Sequence, residues 1–282
     1  MRTCGEVDGV RRLSLHDHVC WVYEDIADVR KRIVDFLADG LALGQRVCYV
    51  TESAAPPGEL PRLLDGLGGV DDALREGALQ IQSLAHRYTG FTGVGPADQV
   101  AAYAAATREA LAAGYTGFRV AAEATGLVRE PEQRASFARY EHLVDRYMTR
   151  EPFAALCAYD RRVLGPEATA QIACMHPMSS PDAAPFRLHA VRDAAFAVDG
   201  ELDRAGQALF AGALAGADPE PAGGELLVDA TGLHFIDHRS LLQLAELAER
   251  RRATLTLRTA LRSVPRLIDI LGLTSIRAEL TS

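Results

Sequence analysis

Short apolar runs of strand length alternate with longer segments of helical apolar spacing along almost the whole chain, and this rhythm limits the possible folds more than any motif does. Consecutive parallel strands need crossover connections of a dozen or more residues, so the alternation predicts α/β architecture with mainly parallel sheets covered by helices. Strands are expected at 18–23, 46–51, 79–83, 118–122 and 153–159. Helices are expected at 26–43, 60–67, 96–113 and 132–148, with a last one ahead of His176-Pro177. Val29, Ile33, Val34, Leu37 and Leu41 give the first helix its buried stripe, and Gly44 ends it.

One stretch breaks the rhythm. Residues 179–186, Ser-Ser-Pro-Asp-Ala-Ala-Pro-Phe, hold two prolines and small residues without a periodic apolar face. They predict a first domain over 10–179, a linker over 180–186 and a second domain over 187–282. In the second domain a strand pair is expected at 187–192 and 195–199, turned at Asp193. Helices at 203–214, 240–252 and 264–271 then alternate with strands at 226–230, 254–258 and 276–280. The length of 282 residues and the 48% hydrophobic content suffice for two cores.

A formal net charge of −8 argues against nucleic acid as the main partner, because surfaces that bind it carry clustered positive charge. No apolar run approaches the roughly 20 residues that span a bilayer, and residues 1–15 lack the apolar core of a secretion signal, so a cytoplasmic protein with no membrane partner is expected. The five cysteines are odd in number and scattered, which predicts reduced and mostly buried thiols.

Several segments of the C-terminal part carry a family resemblance. Val198-Asp-Gly-Glu-Leu-Asp203, Leu227-Val-Asp-Ala-Thr-Gly-Leu-His-Phe-Ile-Asp237 and the helix that follows resemble the STAS domain of anti-sigma-factor antagonists, over roughly 186–282. The resemblance implies a small α/β domain with a mixed sheet. It also implies that the loop at Asp237, His238, Arg239 and Ser240 binds a serine kinase acting as an anti-sigma factor. In the antagonists that loop reads Asp-Ser-Ser-Gly or Asp-Ser-Thr-Gly, and its second hydroxyl residue is phosphorylated. Here that position falls on Arg239, a permanent cation and no phosphate mimic, so the usual phosphate switch is expected to be lost. Ser240 reads as a helix N-cap, and Asp237 as either a cap or a partner-facing acid.

The N-terminal part is similar to the MEDS domain of methanogen and methylotroph sensory proteins, over about 10–180. His18-Val-Cys-Trp-Val-Tyr23, the segment 36–50, Gly117-Phe-Arg-Val-Ala-Ala-Glu123, Tyr140-Glu141, Cys157-Ala-Tyr-Asp-Arg161 and His176-Pro177 carry the likeness. It implies sensing of small hydrocarbon-derived ligands and a sheet related to the RecA and KaiC class of nucleotide-binding folds. The phosphate cradle of that class needs G-x-x-x-x-G-K-[ST]. No such segment exists, and the corresponding turn, Tyr23-Glu24-Asp25-Ile26-Ala27-Asp28, would repel a triphosphate. Neither an enzyme nor a cofactor is expected, even though Glu52 and Glu123 fall at strand ends where a related ATPase could keep acidic groups.

A ligand crevice is expected outside the carboxyl ends of the strands. Candidate lining residues are Tyr23, Glu52, Glu123, Tyr140, Glu141, Tyr159, Asp160 and Arg161, with Glu123 and Arg161 either orienting a ligand or forming a structural ion pair. His16, His18 and Cys20 alternate along one strand face, which Cys157 and His176 could approach. His18, Cys20, Cys157 and His176 are therefore candidate metal ligands, against the plainer reading of core thiols and hydrogen-bonded imidazoles. The expected function is a non-enzymatic signalling and transcription regulator, in which a sensory domain controls a module that binds an anti-sigma-factor kinase. The alternatives are a constitutive homo-oligomeric scaffold and a degenerate nucleotide-binding enzyme.

Overall fold

The computed structural model describes residues 4–53, 55–56, 58–84 and 95–281. The first part runs β1 (Gly5–Glu6), β2 (His18–Tyr23), α1 (Ile26–Ala42), β3 (Arg46–Thr51), α2 (Val70–Arg75), β4 (Leu79–Ser83) and α3 (Pro96–Ala112). It continues with β5 (Phe118–Glu123), α4 (Pro131–Met148), β6 (Phe153–Asp160), α5 (Arg161–Ala173) and β7 (Met178–Ser179). Its seven strands form one sheet in the order β1-β7-β2-β6-β5-β3-β4, every pair parallel.

Alternation along the central strands sends side chains into two separate cores. Cys20, Cys48, Val120 and Tyr159 face α3, α4 and α5, whereas Val19, Tyr49, Ala121 and Leu156 face Ile33, Phe36 and Leu37 of α1. Burial on both faces explains why these strands read as nearly continuous apolar runs. Asp25 starts α1 by accepting the Ala27 N–H at 2.9 Å. Gly44, at φ 68°, ends the helix where a Cβ would be strained.

The second part runs β8 (Phe186–His189), β9 (Phe196–Leu202), α6 (Gln207–Ala217), β10 (Glu225–Ala230), β11 (Leu233–Ile236), α7 (His238–Arg250), β12 (Thr254–Thr259), α8 (Ser263–Leu271) and β13 (Ile276–Leu280). The sheet order is β11-β9-β10-β12-β13, all parallel, with β8 added antiparallel to β9, so the sheet is mixed.

Some boundaries differ from the sequence reading for local reasons. The helix expected over 60–67 is a 3-10 turn, Leu60–Leu64, cut short ahead of Gly66, Gly68 and Gly69, and α2 begins beyond them. The strand expected over 187–192 stops at His189, because the next N–H is drawn away by Asp145 and the Arg192 side chain bonds the Thr149 carbonyl. The helix expected from residue 203 starts at Gln207, since the Asp203 carboxylate holds the Gly206 N–H in a turn.

Ser180, the first residue of the expected linker, continues along the first sheet, whereas Phe186 already belongs to β8. Ser180 donates its N–H to the Cys20 carbonyl at 2.9 Å, and its Oγ accepts the Val22 N–H at 3.0 Å. The two parts also share packing: α4 lies against α6, and Ala138, Cys174 and Met175 enter the core of the second part. Gly216 permits the contact, since a Cβ there would stand 2.7 Å from the Ala138 Cβ. Among the described residues no helix is long and apolar enough to cross a membrane.

Candidate functional site

The strongest concentration of chemistry lies inside the first part, between β2, β6, α4 and the turn after α5. His18, Glu141 and His176 are completely buried there and Cys157 is partly exposed. One donor atom from each of the four lies within 4.8 Å of the others. The His18 Nε2 to Glu141 Oε2 distance is 3.2 Å, His176 Nε2 to Glu141 Oε2 is 3.6 Å, and Cys157 Sγ to His18 Nε2 is 3.8 Å.

Outer contacts fix both imidazoles. His176 Nδ1 lies 3.0 Å from the Ile172 carbonyl, which can only accept, so Nδ1 carries the proton and Nε2 turns a lone pair inward. His18 Nδ1 lies 3.1 Å from Asp145 Oδ1, and the Tyr159 hydroxyl donates to Glu141 Oε1 at 3.1 Å. On the inner side the arrangement is incomplete: Glu141 Oε2 and His176 Nε2 are buried without a hydrogen bond among the described residues. Leaving a buried polar atom unsatisfied costs about 1–3 kcal/mol, more for a charged one, so this arrangement asks for an explanation.

The electrostatics are uneven. Burial disfavours an imidazolium at His18, but Asp145, Cys157 and Glu141 outweigh it and hold the His18 pKa well above the usual histidine value. At His176 burial outweighs the pull of Glu141 and pushes the pKa down to about 4. Burial also acts to raise Glu141, yet the neighbouring histidines and Tyr159 leave its pKa below the usual carboxylate value.

Sequence reasoning named His18, Cys157 and His176 as possible ligands and placed Glu141 in a ligand crevice; the fold brings the four together. Cys20 shares their sheet face, in register with Cys157, but lies outside the converging group. His16 is turned aside, its Nδ1 lying 2.7 Å from the Met148 carbonyl. Asp145 was not singled out. Its signal was the spacing Glu141 and Asp145, one helical turn apart on the face that carries Phe137, Val144 and Met148.

The expected crevice residues separate into three places. Tyr23, Glu52, Glu123 and Asp160 lie at the carboxyl ends of the strands, Tyr140 and Tyr159 point into the core with Glu141, and Arg161 bonds the Asp182 carbonyl at 3.2 Å. Of the two alternatives for Glu123 and Arg161, the ion pair is not formed. Glu123 instead accepts from the Tyr49 hydroxyl at 2.5 Å, the Thr51 hydroxyl at 2.8 Å and the Glu52 N–H at 2.9 Å. Glu52 accepts the Gly126 N–H, and burial raises its pKa.

A cavity of about 630 Å³, lined by Cys4, His16, Thr149, His189, Ala190 and Arg192 among others, opens between the two parts. His189 Nε2 lies 2.6 Å from Asp199 Oδ2 at its edge.

In the second part, Asp237 caps α7 by accepting the Ser240 N–H at 2.7 Å, and it also accepts from Gln207 Nε2 at 2.8 Å. The cap is therefore Asp237 and not Ser240, which is fully buried in the first turn of α7. His238 and Arg239 are exposed.

Fold and site together define an α/β protein whose parallel sheet seals a histidine, cysteine and carboxylate centre in its interior. Residues 17–177, more than half of the chain, match the family described as MEDS, the MEthanogen/methylotroph, DcmR Sensory domain. The chain belongs to the MEDS family, and its role is a sensory, signalling one. No curated protein matches it.

Proposed function

We propose that this chain is a non-enzymatic regulator in which the MEDS domain senses a small ligand and controls the C-terminal part, a STAS-like domain that engages an anti-sigma factor of the serine-kinase type. The observation that carries the reading is the surface at the start of α7. Phe235, 48% exposed, and Leu242, 38% exposed, flank the exposed His238 and Arg239, so an apolar and cationic patch faces solvent where the antagonists meet their kinase. The hydroxyl nearest the family phosphoacceptor, Ser240, is sealed in the core, and Arg239 cannot accept a phosphate on oxygen. Control then passes to the domain in front.

The interdomain cavity supports that route. Its volume suits a small molecule, its walls come from both parts, and it borders the Ala190 backbone that Asp145 holds. A ligand there shifts signalling only if it binds two arrangements of the parts with different affinity.

The full chain used as bait in an extract of its source cells tests the reading. A kinase-type anti-sigma factor retained by the wild type and lost from a Phe235→Asp, Arg239→Glu chain supports it. Equal recovery by both chains would remove this surface from the account of partner binding.

A further inference from the structure

We infer that His18, Glu141, Cys157 and His176 form a closed tetrahedral site for one divalent transition-metal ion of the zinc class. The inference goes beyond ligand sensing and does not depend on the identity of the C-terminal partner.

The spacing of the donors is the first argument. Zinc bonds imidazole nitrogen and carboxylate oxygen at about 2.0–2.2 Å and thiolate sulfur at about 2.3 Å, so tetrahedral donors stand about 3.3–3.6 Å apart. The three contacts here are 3.2, 3.6 and 3.8 Å. Such distances suit an ion at the centre.

Orientation is the second. Both histidines have Nδ1 engaged outward, one with the Asp145 carboxylate and the other with the Ile172 carbonyl, which leaves each Nε2 for the centre. Outer partners of this kind fix the rings of metal-bound histidines. Glu141 is steadied likewise by the Tyr159 hydroxyl on Oε1, while Oε2 faces inward without a hydrogen bond. His176 Nε2, also without one, completes a set of inward atoms that lack partners but not direction.

Donor chemistry selects the ion. Two imidazoles, a thiolate and a carboxylate suit zinc and its neighbours, whereas calcium and magnesium take oxygen ligands. Four protein ligands leave no position for water, as in structural zinc sites, so the ion joins β2, α4, β6 and the turn before β7 without hydrolytic chemistry. On binding, the Cys157 thiol and His18 Nε2 each lose a proton to the buffer as the metal–sulfur and metal–nitrogen bonds form.

Cobalt titration of the full-length, reduced chain after chelator treatment tests the inference. Expected is stoichiometric uptake, with tetrahedral ligand-field bands and a thiolate-to-cobalt charge-transfer band, both removed by zinc. The charge-transfer band is lost in Cys157→Ser and retained in Cys4→Ala, which separates this centre from the Cys4, His189 and Asp199 group. His176→Gln, checked by circular dichroism for a native fold, is expected to weaken cobalt binding at least tenfold and serves if Cys157→Ser does not fold. Absence of the band in folded, reduced wild type would overturn the inference. So would its persistence in Cys157→Ser, its loss in Cys4→Ala, or unweakened binding in His176→Gln.

Discussion

Ala190 donates its backbone N–H to Asp145 Oδ2 at 2.7 Å, and this bond joins the residue just beyond β8 to the interior face of α4. The other oxygen, Oδ1, lies 3.1 Å from His18 Nδ1 in the buried centre. One carboxylate therefore touches both the buried centre and the residue that follows the first strand of the second sheet. Two contacts through Asp145 thus connect His18 to the backbone of the neighbouring part.

The contact between α4 and α6 leaves no room for a side chain at Gly216. Gly216→Leu should force the helices apart at a cost of about 1–3 kcal/mol, the usual range for overpacking. Denaturant unfolding would show a lower midpoint, and Ala138→Gly in the same chain should recover part of the loss. An unchanged midpoint in the single variant would mean that the helices do not pack as described.

His189 makes stability depend on pH in a defined direction. Burial acts to lower its pKa, but the Asp199 carboxylate, with Cys4, overrides burial and raises it to about 10 from an ordinary 6.5. A raised value means that the folded state holds the proton more tightly. The contribution is therefore complete below about pH 6.5 and is lost as pH rises through about 10, at up to about 1.4 kcal/mol per pH unit. Tm should fall between neutral and mildly alkaline pH, and His189→Gln should flatten that part of the profile. Parallel profiles for the two chains would contradict the pairing.

Asp237 should matter as a cap whatever binds nearby. Asp237→Ala removes the acceptor for the Ser240 N–H and is expected to cost about 1 kcal/mol, whereas Asp237→Asn should keep most of the cap. Ser240→Ala is not expected to mimic the loss, because the serine does not cap α7. Equilibrium unfolding of the three chains distinguishes these outcomes.

The legible part of this molecule is the part written in periodicity. Strands β3 and β13 match their expected bounds because their apolar runs end at clear turns, and the parallel sheet followed from the helices between strands. Two-residue strands such as β1 and β7 carry no pattern of their own, and they exist only because neighbouring chain comes alongside. The centre was half visible: alternation put His18 and Cys20 on one face, but register sets Cys157 opposite Cys20, and only the reach of the His18 ring brings it to Cys157. The partners of Glu123 were not legible, since Tyr49 and Thr51 reach it across the sheet from β3, a relation set by strand order and not by local sequence. Asp145 escaped notice because a buried acid on a helix looks like a surface acid until the helix is docked.

The link between the buried centre and the second part rests on the two oxygens of Asp145, and alanine removes both. Hydrogen exchange of the full-length Asp145→Ala chain, compared with wild type under conditions where both are folded, tests this directly. Faster exchange across residues 186–190, with β10 and β12 unchanged, is the expected result. Identical exchange in that segment would show that the Asp145 bond does not hold the two parts together.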